Sequence, residues 1–541
     1  MIRQEIKNLI EKAIKKLQKD RIFPVFEIPE IKIESVENRI GKQLCGDYSS
    51  AIAIRIRRDA NMNPMEVAEK IKLEIGKANL ELFWKIEPAK PGFINFFLSE
   101  NYLQKQVGEI LKQKNKFGEL KIGNGRKVNV EFISANPTGP LTLGNGRGGF
   151  CGDVLANILA KAGYKVSREY YVNDIGEQVR KLGHSVLGDA EAVYRGPYIE
   201  DLKTRFNGGS ADEAEKLGEK AASVILEEMI KPSVEKMGIK FDTWFSEKSL
   251  HEKKKINKIS EFLKKKNLAY EQEGALWFRS AQFGDDKDRV LIKADGETTY
   301  LASDVAYLKD KFGRGFDELI FFWGADHYGY INRLKAAAVA FGYKKEQLGI
   351  IIMQLVRLME AGKEVRMSKR TGIYVTIDEL IDEVGLDAAR FFFLARGADS
   401  HLNFDLNLAK EQSEKNPVYY VQYAHARICS ILTKIPPACN ALRSNADRDL
   451  KTLNHPSELN LIKQLIELPE ALEDTAKDYQ IQRLPQYATD LATAFHQFYR
   501  DCRVINENGS ANEPRLALVL AAKIVLENTL KLMGISAPEK M

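Results

Sequence analysis

Residues 128–149, VNVEFISANPTGPLTLGNGRGG, bring together residue types that can hold a polyphosphate. A β-branched run passes into a Pro/Gly loop and then into a glycine-rich helix start, the order of a nucleotide-binding strand–loop–helix unit. The free N–H groups and positive dipole end of such a helix favour an anion. Gly144 and Gly146 lack the Cβ that would block a base or ribose. Taken alone, a glycine-rich turn serves equally as a tight connection. In TTYLASDVAY, Tyr300 and Asp304 stand four apart, so a helix there puts a hydroxyl and a carboxylate on one face. Asn173, Asp174, Gly176 and Gln178 follow a predicted strand end, where open α/β sheets bind ligands. Asp174 has the alternative reading of a cap on the next helix.

These residues need elements to position them. Residues 128–133 predict a buried strand, 153–162 a helix with Val154, Leu155, Ile158 and Leu159 on one face, and 166–172 the next strand, together one right-handed crossover. A helix-rich insertion, about 177–266, follows. Strand-like chain returns at 290–293 and 319–323, so the two halves of one sheet flank the insertion. Segments 355–359 and 365–367 around Ala361, Gly362 and Lys363 predict a hairpin leading into Ser368-Lys369-Arg370. Upstream, Ile6, Ile10, Ala13, Ile14 and Leu17 predict an amphipathic helix over 2–20, with a second helix at 64–77 and strands at 51–56 and 92–98, an α+β domain over residues 1–117. After Asp378 the pattern is almost entirely helical, broken at Pro436-Pro437 and 443–448, an all-α domain over 378–541.

At 541 residues the chain has room for roughly two to four domains. Lys plus Arg (81) exceeds Asp plus Glu (75) by only 6, too little at this length to argue for nucleic acid, so any polyanion site is a local patch. Cys45, Cys151, Cys429, Cys439 and Cys502 are scattered, against a disulfide framework or thiolate zinc site, and a reducing cytoplasm is expected. The N-terminus has no apolar signal core, and no run nears the ~18 apolar residues of a membrane span. The lysine runs at 253–255 and 264–266 read as solvated helix faces.

SANPTGPLTLGNGRG closely resembles the ATP-binding signature of class I aminoacyl-tRNA synthetases, in the form found in arginyl-tRNA synthetases. Where the family reads His-x-Gly-His, this chain has Thr142, Leu143, Gly144 and Asn145. A hydroxyl and an amide donor replace two imidazoles, which keeps neutral hydrogen bonding, loses any imidazolium charge and implies an altered pH dependence. Arg366-Met367-Ser368-Lys369-Arg370 resembles the Lys-Met-Ser-Lys-Ser loop, whose last lysine offsets the charge of the leaving pyrophosphate. The resemblance thus implies ATP contacts at Pro137, Gly139, Thr142, Gly144, Asn145, Arg366, Met367, Ser368 and Lys369, with Thr142, Asn145 and Lys369 catalytic.

For arginine the resemblance implies Glu131, Asn136, Glu247, Tyr300, Asp304 and His327. A permanently charged guanidinium needs carboxylates and other acceptors; Tyr300 and Asp304 are assigned to it, Glu131 and Asn136 to the amino-acid backbone. YYVNDIGEQ and WGADHYGY, which holds His327, also resemble family stretches, as do GDYSSAIA and GFINFFLS of the domain that touches the tRNA's outer corner. Residues 385–428, with Asp387-Ala388-Ala389-Arg390, resemble the helical anticodon-binding domain. There Asn416, Tyr420, Tyr423 and Arg427, beside Tyr419, Gln422 and His425, are expected to stack on and bond splayed bases. The implied fold is α/β: a Rossmann-type parallel-sheet catalytic domain, 118–377, between the two flanking domains. The implied activity is formation of arginyl-adenylate from ATP, with accompanying Mg²⁺ and no all-protein metal cage, then transfer to tRNA(Arg) by a monomer. The alternative, motivated by loss of both histidines, is a catalytically impaired paralogue that binds tRNA. A small-molecule nucleotidyltransferase of the same fold leaves the C-terminal helices unexplained.

Overall fold

The computed structural model describes residues 1–35, 46–77, 81–206, 213–365, 375–434, 450–506 and 510–541. Five parallel strands form the central sheet, in spatial order Leu348–Met353, Glu318–Gly324, Lys127–Glu131, Lys165–Val172 and Thr243–Ser246. The chain enters at the middle strand, winds to one edge, then returns to fill the other side. Winding therefore reverses between Lys127–Glu131 and Glu318–Gly324, and the crevice beyond the carboxyl ends of those two strands is where such sheets hold ligands.

The helix Leu143–Lys161 starts ten residues before the predicted 153. Its first half is glycine-rich and poor in intrinsic helix preference, but packing overrides this: a Cβ on Gly152 would lie 2.2 Å from the Phe132 ring. Glycine lets the helix lie directly on the chain leaving the sheet.

Other expectations are corrected. The predicted 177–266 insertion is not purely helical, because Thr243–Ser246 is the edge strand of the central sheet. Four residues are too few to show a period. The strand expected at 290–293 is present as Arg289–Ile292 but belongs to a separate antiparallel sheet with Ala275–Phe278 and Ala269–Gln272. Leu348–Met353, which no pattern singled out, supplies the missing strand. At 51–56 the expected strand is the helix Ile52–Ile56, whose buried Ile52, Ala53 and Ile56 follow helical spacing. Leu402–Asp405 interrupts the predicted all-helical C-terminal part and pairs in parallel with Val356–Glu360.

That second strand opens the expected hairpin with Lys363–Val365, turning at Ala361 and Gly362, both with positive φ. The N-terminal part carries the helix Ile2–Lys19, with Ile6, Ile10 and Ile14 buried, and a four-stranded antiparallel sheet. The C-terminal part packs Pro417–Thr433, Pro456–Ile466, Leu468–Asp478, Arg483–Asp501 and Glu513–Met533. Cys45, Cys439, Pro436-Pro437 and 443–448 lie outside the described residues, and no described helix is long and apolar enough to cross a membrane.

Candidate active site

A cleft of about 750 Å³ opens at the reversal point of the sheet. Glu131, Asn136, Glu247, Tyr300, Asp304 and His327 all line it, as do Gly139 and Asn145. Where the Lys127–Glu131 strand ends, Ile133 and Ser134 take φ of 65° and 40°. A β-branched residue pays steric strain in that region. The turn lets the Ser134 hydroxyl accept from the Tyr171 backbone N–H at 3.0 Å while donating to Glu131 at 3.4 Å.

The helix Tyr300–Gly313 supplies one wall. Tyr300, Asp304, Tyr307 and Lys311 recur at helical spacing and share a face. Tyr300 is exposed, Asp304 half-buried, and Tyr307 and Lys311 buried. Burial, then the charges of Glu247 and Glu131, push the Asp304 carboxyl up to about 7, and no described residue bonds to it or pairs with it. Glu247 is buried, which raises its pKa, while Ser303 and Tyr171 hydroxyls hydrogen-bond to it and the Asn173 amide, turned so that its nitrogen faces the Ile175 carbonyl and Glu247, donates to it.

Glu131, expected beside the amino-acid backbone of the substrate, lines the cleft with its charge already matched by the protein. Lys311 Nζ lies 2.7 Å from its Oε2, and the Tyr307 hydroxyl lies 2.8 Å from the same oxygen, its one proton shared between Glu131 and Glu169. Behind it sits Glu169, buried, accepting from the Arg314 fork at 2.6 and 2.8 Å, from Asn129 at 3.1 Å and from Tyr307. Burial pushes Glu169 up, but Lys311, Arg314 and Tyr307 outweigh it and hold the acid at about 2. The sequence reading missed Glu169, Tyr307 and Lys311; extending the 300/304 spacing by further turns was the signal for the last two.

Asn136 donates to Gln178 at 2.7 Å. Asp174 accepts from the Lys248 backbone N–H at 2.9 Å and from Ser246. It therefore caps Lys248–Glu252, not the helix that follows it in sequence. His327 sits in the turn Ala325–Tyr330, half-exposed, 6.0 Å from the Trp323 ring.

Thr142 is the N-cap of Leu143–Lys161. Its backbone N–H and hydroxyl both donate to Asn145 Oδ1, at 3.0 and 2.8 Å. The hydroxyl proton expected to serve a phosphate is thus already committed. Two donors fix which end of the Asn145 amide is oxygen, and its NH₂ is left for the cleft. A Cβ on Gly144 would meet nothing closer than Thr142 Oγ1 at 3.8 Å, an open cradle. Gly146 differs: its Cβ would lie 2.5 Å from Ile377 Cδ1, so this glycine admits a side chain and not a base. Pro137 is buried, and Arg366, Met367, Ser368 and Lys369 lie outside the described residues.

In the C-terminal part, Asn416 is corrected from base reader to structural cap. It is buried, both amide hydrogens go to Ala409 and Glu411 carbonyls, and its oxygen accepts from the Val418 N–H. Gln422 and His425 are likewise buried and bonded, to Asp387 and Ser536 and to Glu527 and Pro538. Tyr420 is half-buried, its hydroxyl donating to Thr493. Tyr423 reaches the surface: the Arg427 guanidinium lies 4.6 Å from its ring and 5.0 Å from that of exposed Tyr499, and Tyr419 lies parallel to it at 6.3 Å.

The family profile described as "Arginyl tRNA synthetase N terminal domain" matches residues 4–98, that of "tRNA synthetases class I (R), catalytic domain" matches 106–227 and 210–399, and that of "DALR anticodon binding domain" matches 421–541. Arginine–tRNA ligases of Heliobacterium modesticaldum and Bacillus subtilis are 42% and 44% identical, over 100% of this chain and 99% and 100% of theirs. The Thermus thermophilus arginyl-tRNA synthetase structure has the same fold, with a TM-score of 0.76 over 100% of both chains at 22% identity. With the Rossmann-type sheet and its cleft beside these whole-length likenesses, the chain belongs to the arginyl-tRNA synthetases, the class I enzymes that join arginine to tRNA.

Proposed function

We propose that the cleft binds L-arginine with its guanidinium against Asp304 and Glu247 and ATP against the N-terminus of Leu143–Lys161. The observation that carries this is the partnerless Asp304 among the described residues, set beside two further acids. A buried carboxylate without a cation is costly, and a ligand that brings a permanent positive charge and several donors removes that cost.

With the guanidinium anchored, an oxygen of the arginine carboxylate attacks the α-phosphorus of ATP. A new P–O bond forms as the bond to the bridging oxygen breaks, and pyrophosphate leaves. The Asn145 NH₂, the helix N-terminus and Lys369 stabilise the charge that builds on the phosphates. Thr142 holds the Asn145 amide in that orientation. The open space at Gly144 fits a polyphosphate, and Mg²⁺ arriving with ATP offsets phosphate charge when bound. A hydroxyl of the tRNA's terminal ribose then attacks the arginyl carbonyl and AMP leaves. Tyr423, Arg427 and the neighbouring Tyr419 and Tyr499 stack on anticodon-loop bases of tRNA(Arg). Residues 1–117 meet the outer corner of the tRNA, 118–377 perform the chemistry and 378–541 read the anticodon, in a monomer working in the cytoplasm. Nothing supports the catalytically impaired alternative.

The test is ATP–pyrophosphate exchange with each amino acid, with and without tRNA. Arginine alone should support exchange, and Lys369→Ala should lower it by ~10²-fold. tRNA binding with neither arginine-dependent exchange nor charging overturns the reading, and unchanged turnover in Lys369→Ala removes that residue from the mechanism.

A further inference from the structure

Arg147 lies in the first signature, yet none of the chemistry above uses it. Its side chain is fully buried and, among the described residues, bonds to no carboxylate. Nη1 donates to the Gln354 carbonyl at 2.9 Å and to the Ser400 carbonyl at 2.8 Å, and Nη2 to the Gly397 carbonyl at 2.7 Å. A guanidinium does not lose its proton, so a permanent cation is held in the interior by three carbonyl dipoles.

The three carbonyls mark the root of one structure. Gln354 immediately precedes the hairpin Val356–Val365, the hairpin that runs into the second signature. Gly397 and Ser400 belong to the turn before Leu402–Asp405, which pairs in parallel with the first hairpin strand. The Gln354 N–H donates to the Ala398 carbonyl at 2.9 Å, tying the two segments together.

The chain beyond residues 366–374 returns to the same helix. Ile377 N–H donates to the Leu141 carbonyl at 3.0 Å, Thr376 forms a bridge with Thr142, and Gly146 leaves room for the Ile377 side chain. Gln354 and Ile377 are therefore both fastened to the start of Leu143–Lys161, the first to Arg147 and the second to Leu141, the residue before its N-cap. Arg147 makes the fastening at the upstream end.

We propose that Arg147 is a positioning residue for adenylate formation: it sets the distance and angle between the helix N-terminus that receives ATP and the hairpin that delivers the second signature. The proposal rests on the ATP reading of both signatures given above. A structural staple elsewhere in the core would affect ATP and arginine alike. A staple between the two halves of the ATP site affects the phosphate transfer and leaves arginine affinity alone.

The experiment is a double-mutant cycle in the full-length protein, reading ATP–pyrophosphate exchange, KM for ATP and KM for arginine for Arg147→Met, Lys369→Ala and the pair. Arg147→Met should lower exchange kcat/KM for ATP at least 10-fold, move KM for arginine less than 2-fold, and cost less than 3-fold once Lys369 is already alanine. Arg147→Lys, which keeps a buried cation with three donors, should recover part of the loss. If Arg147→Met does not fold, Arg147→Lys is taken through the same cycle and judged by the same ratios. Losses that multiply in the pair, or equal losses for ATP and arginine, overturn the inference. An inert Lys369→Ala beside an ATP-selective loss in Arg147→Met discards the role of Lys369 and keeps that of Arg147 through the hairpin.

Discussion

Glu169 accepts from Tyr307, Asp304 stands one turn before Tyr307 on the same helix, and the surroundings of the two acids drive them apart. Burial acts on both in the same direction, raising the pKa. Glu169 meets Lys311, Arg314, Tyr307 and Asn129 and sits at about 2; Asp304 meets two more acids and sits at about 7. The floor of the cleft is closed in charge, with Glu131 and Glu169 matched by Lys311 and Arg314. The wall is short of a positive charge. Around one cleft, then, Glu131 and Glu169 are supplied with cations, while Asp304 has none among the described residues.

Breaking the floor has the largest expected effect. Lys311→Met leaves Glu131 and Glu169 facing each other in the interior, and removing one partner from a buried ion pair costs roughly 3–5 kcal/mol. Denaturant unfolding measures it. The pH dependence carries a sign: a folded pKa below the unfolded value gives Glu169 stability that is present above the ordinary carboxylate range and lost as pH falls through about 2. The variant should lose less on acidification than the parent. Equal stability at neutral pH would mean that the floor is not held by charge.

Breaking the wall should leave the fold intact and remove function. Asp304→Asn is expected to lower kcat/KM for arginine by ~10²-fold, the scale of one desolvated ionic hydrogen-bond partner, with KM for ATP unchanged and no loss of thermal stability. Steady-state exchange kinetics and a melting curve decide it. A matching loss for ATP would contradict the guanidinium assignment, and a lower melting temperature would place Asp304 with Glu169 as a structural acid.

The sequence showed the wall better than the floor. Tyr300 and Asp304 are readable because their spacing and their place in a motif point the same way, whereas Glu169 sits on a strand 131 positions before residue 300, and only the parallel register brings it under Tyr307. Glu131 was legible as a cleft residue but not as one whose charge is already met, because Lys311 reaches it from another element. The glycines divide in the same way. Gly144 and Gly146 look alike in sequence, and only the position of Ile377 shows that one borders open space and the other makes room for a side chain. Among elements, long periodic helices and the strand–helix–strand start were readable. Thr243–Ser246 was not, since four residues carry no period and sheet membership is decided by what lies alongside. Asn416 shows the limit of residue type as evidence: the amide that can read a base is equally suited to capping a helix, and burial settles which.

The smallest expected effect tests the comparison most directly. A carboxyl near 7 is about half protonated at neutral pH, and a bound guanidinium favours its charged form. Arginine binding at pH 6.5–7 should therefore release a fraction of a proton, and arginine affinity should rise as pH increases from about 6 to about 8. Calorimetric titration in buffers of different ionisation enthalpy counts that proton. In Asp304→Asn the release should vanish together with the pH dependence. The same carboxyl affects the ligand-free fold with the opposite sense: a folded pKa above the unfolded value means that stability declines as pH rises from about 4 through 7, and Asp304→Asn should flatten that decline. Arginine binding with no proton released by the parent would place the guanidinium away from Asp304.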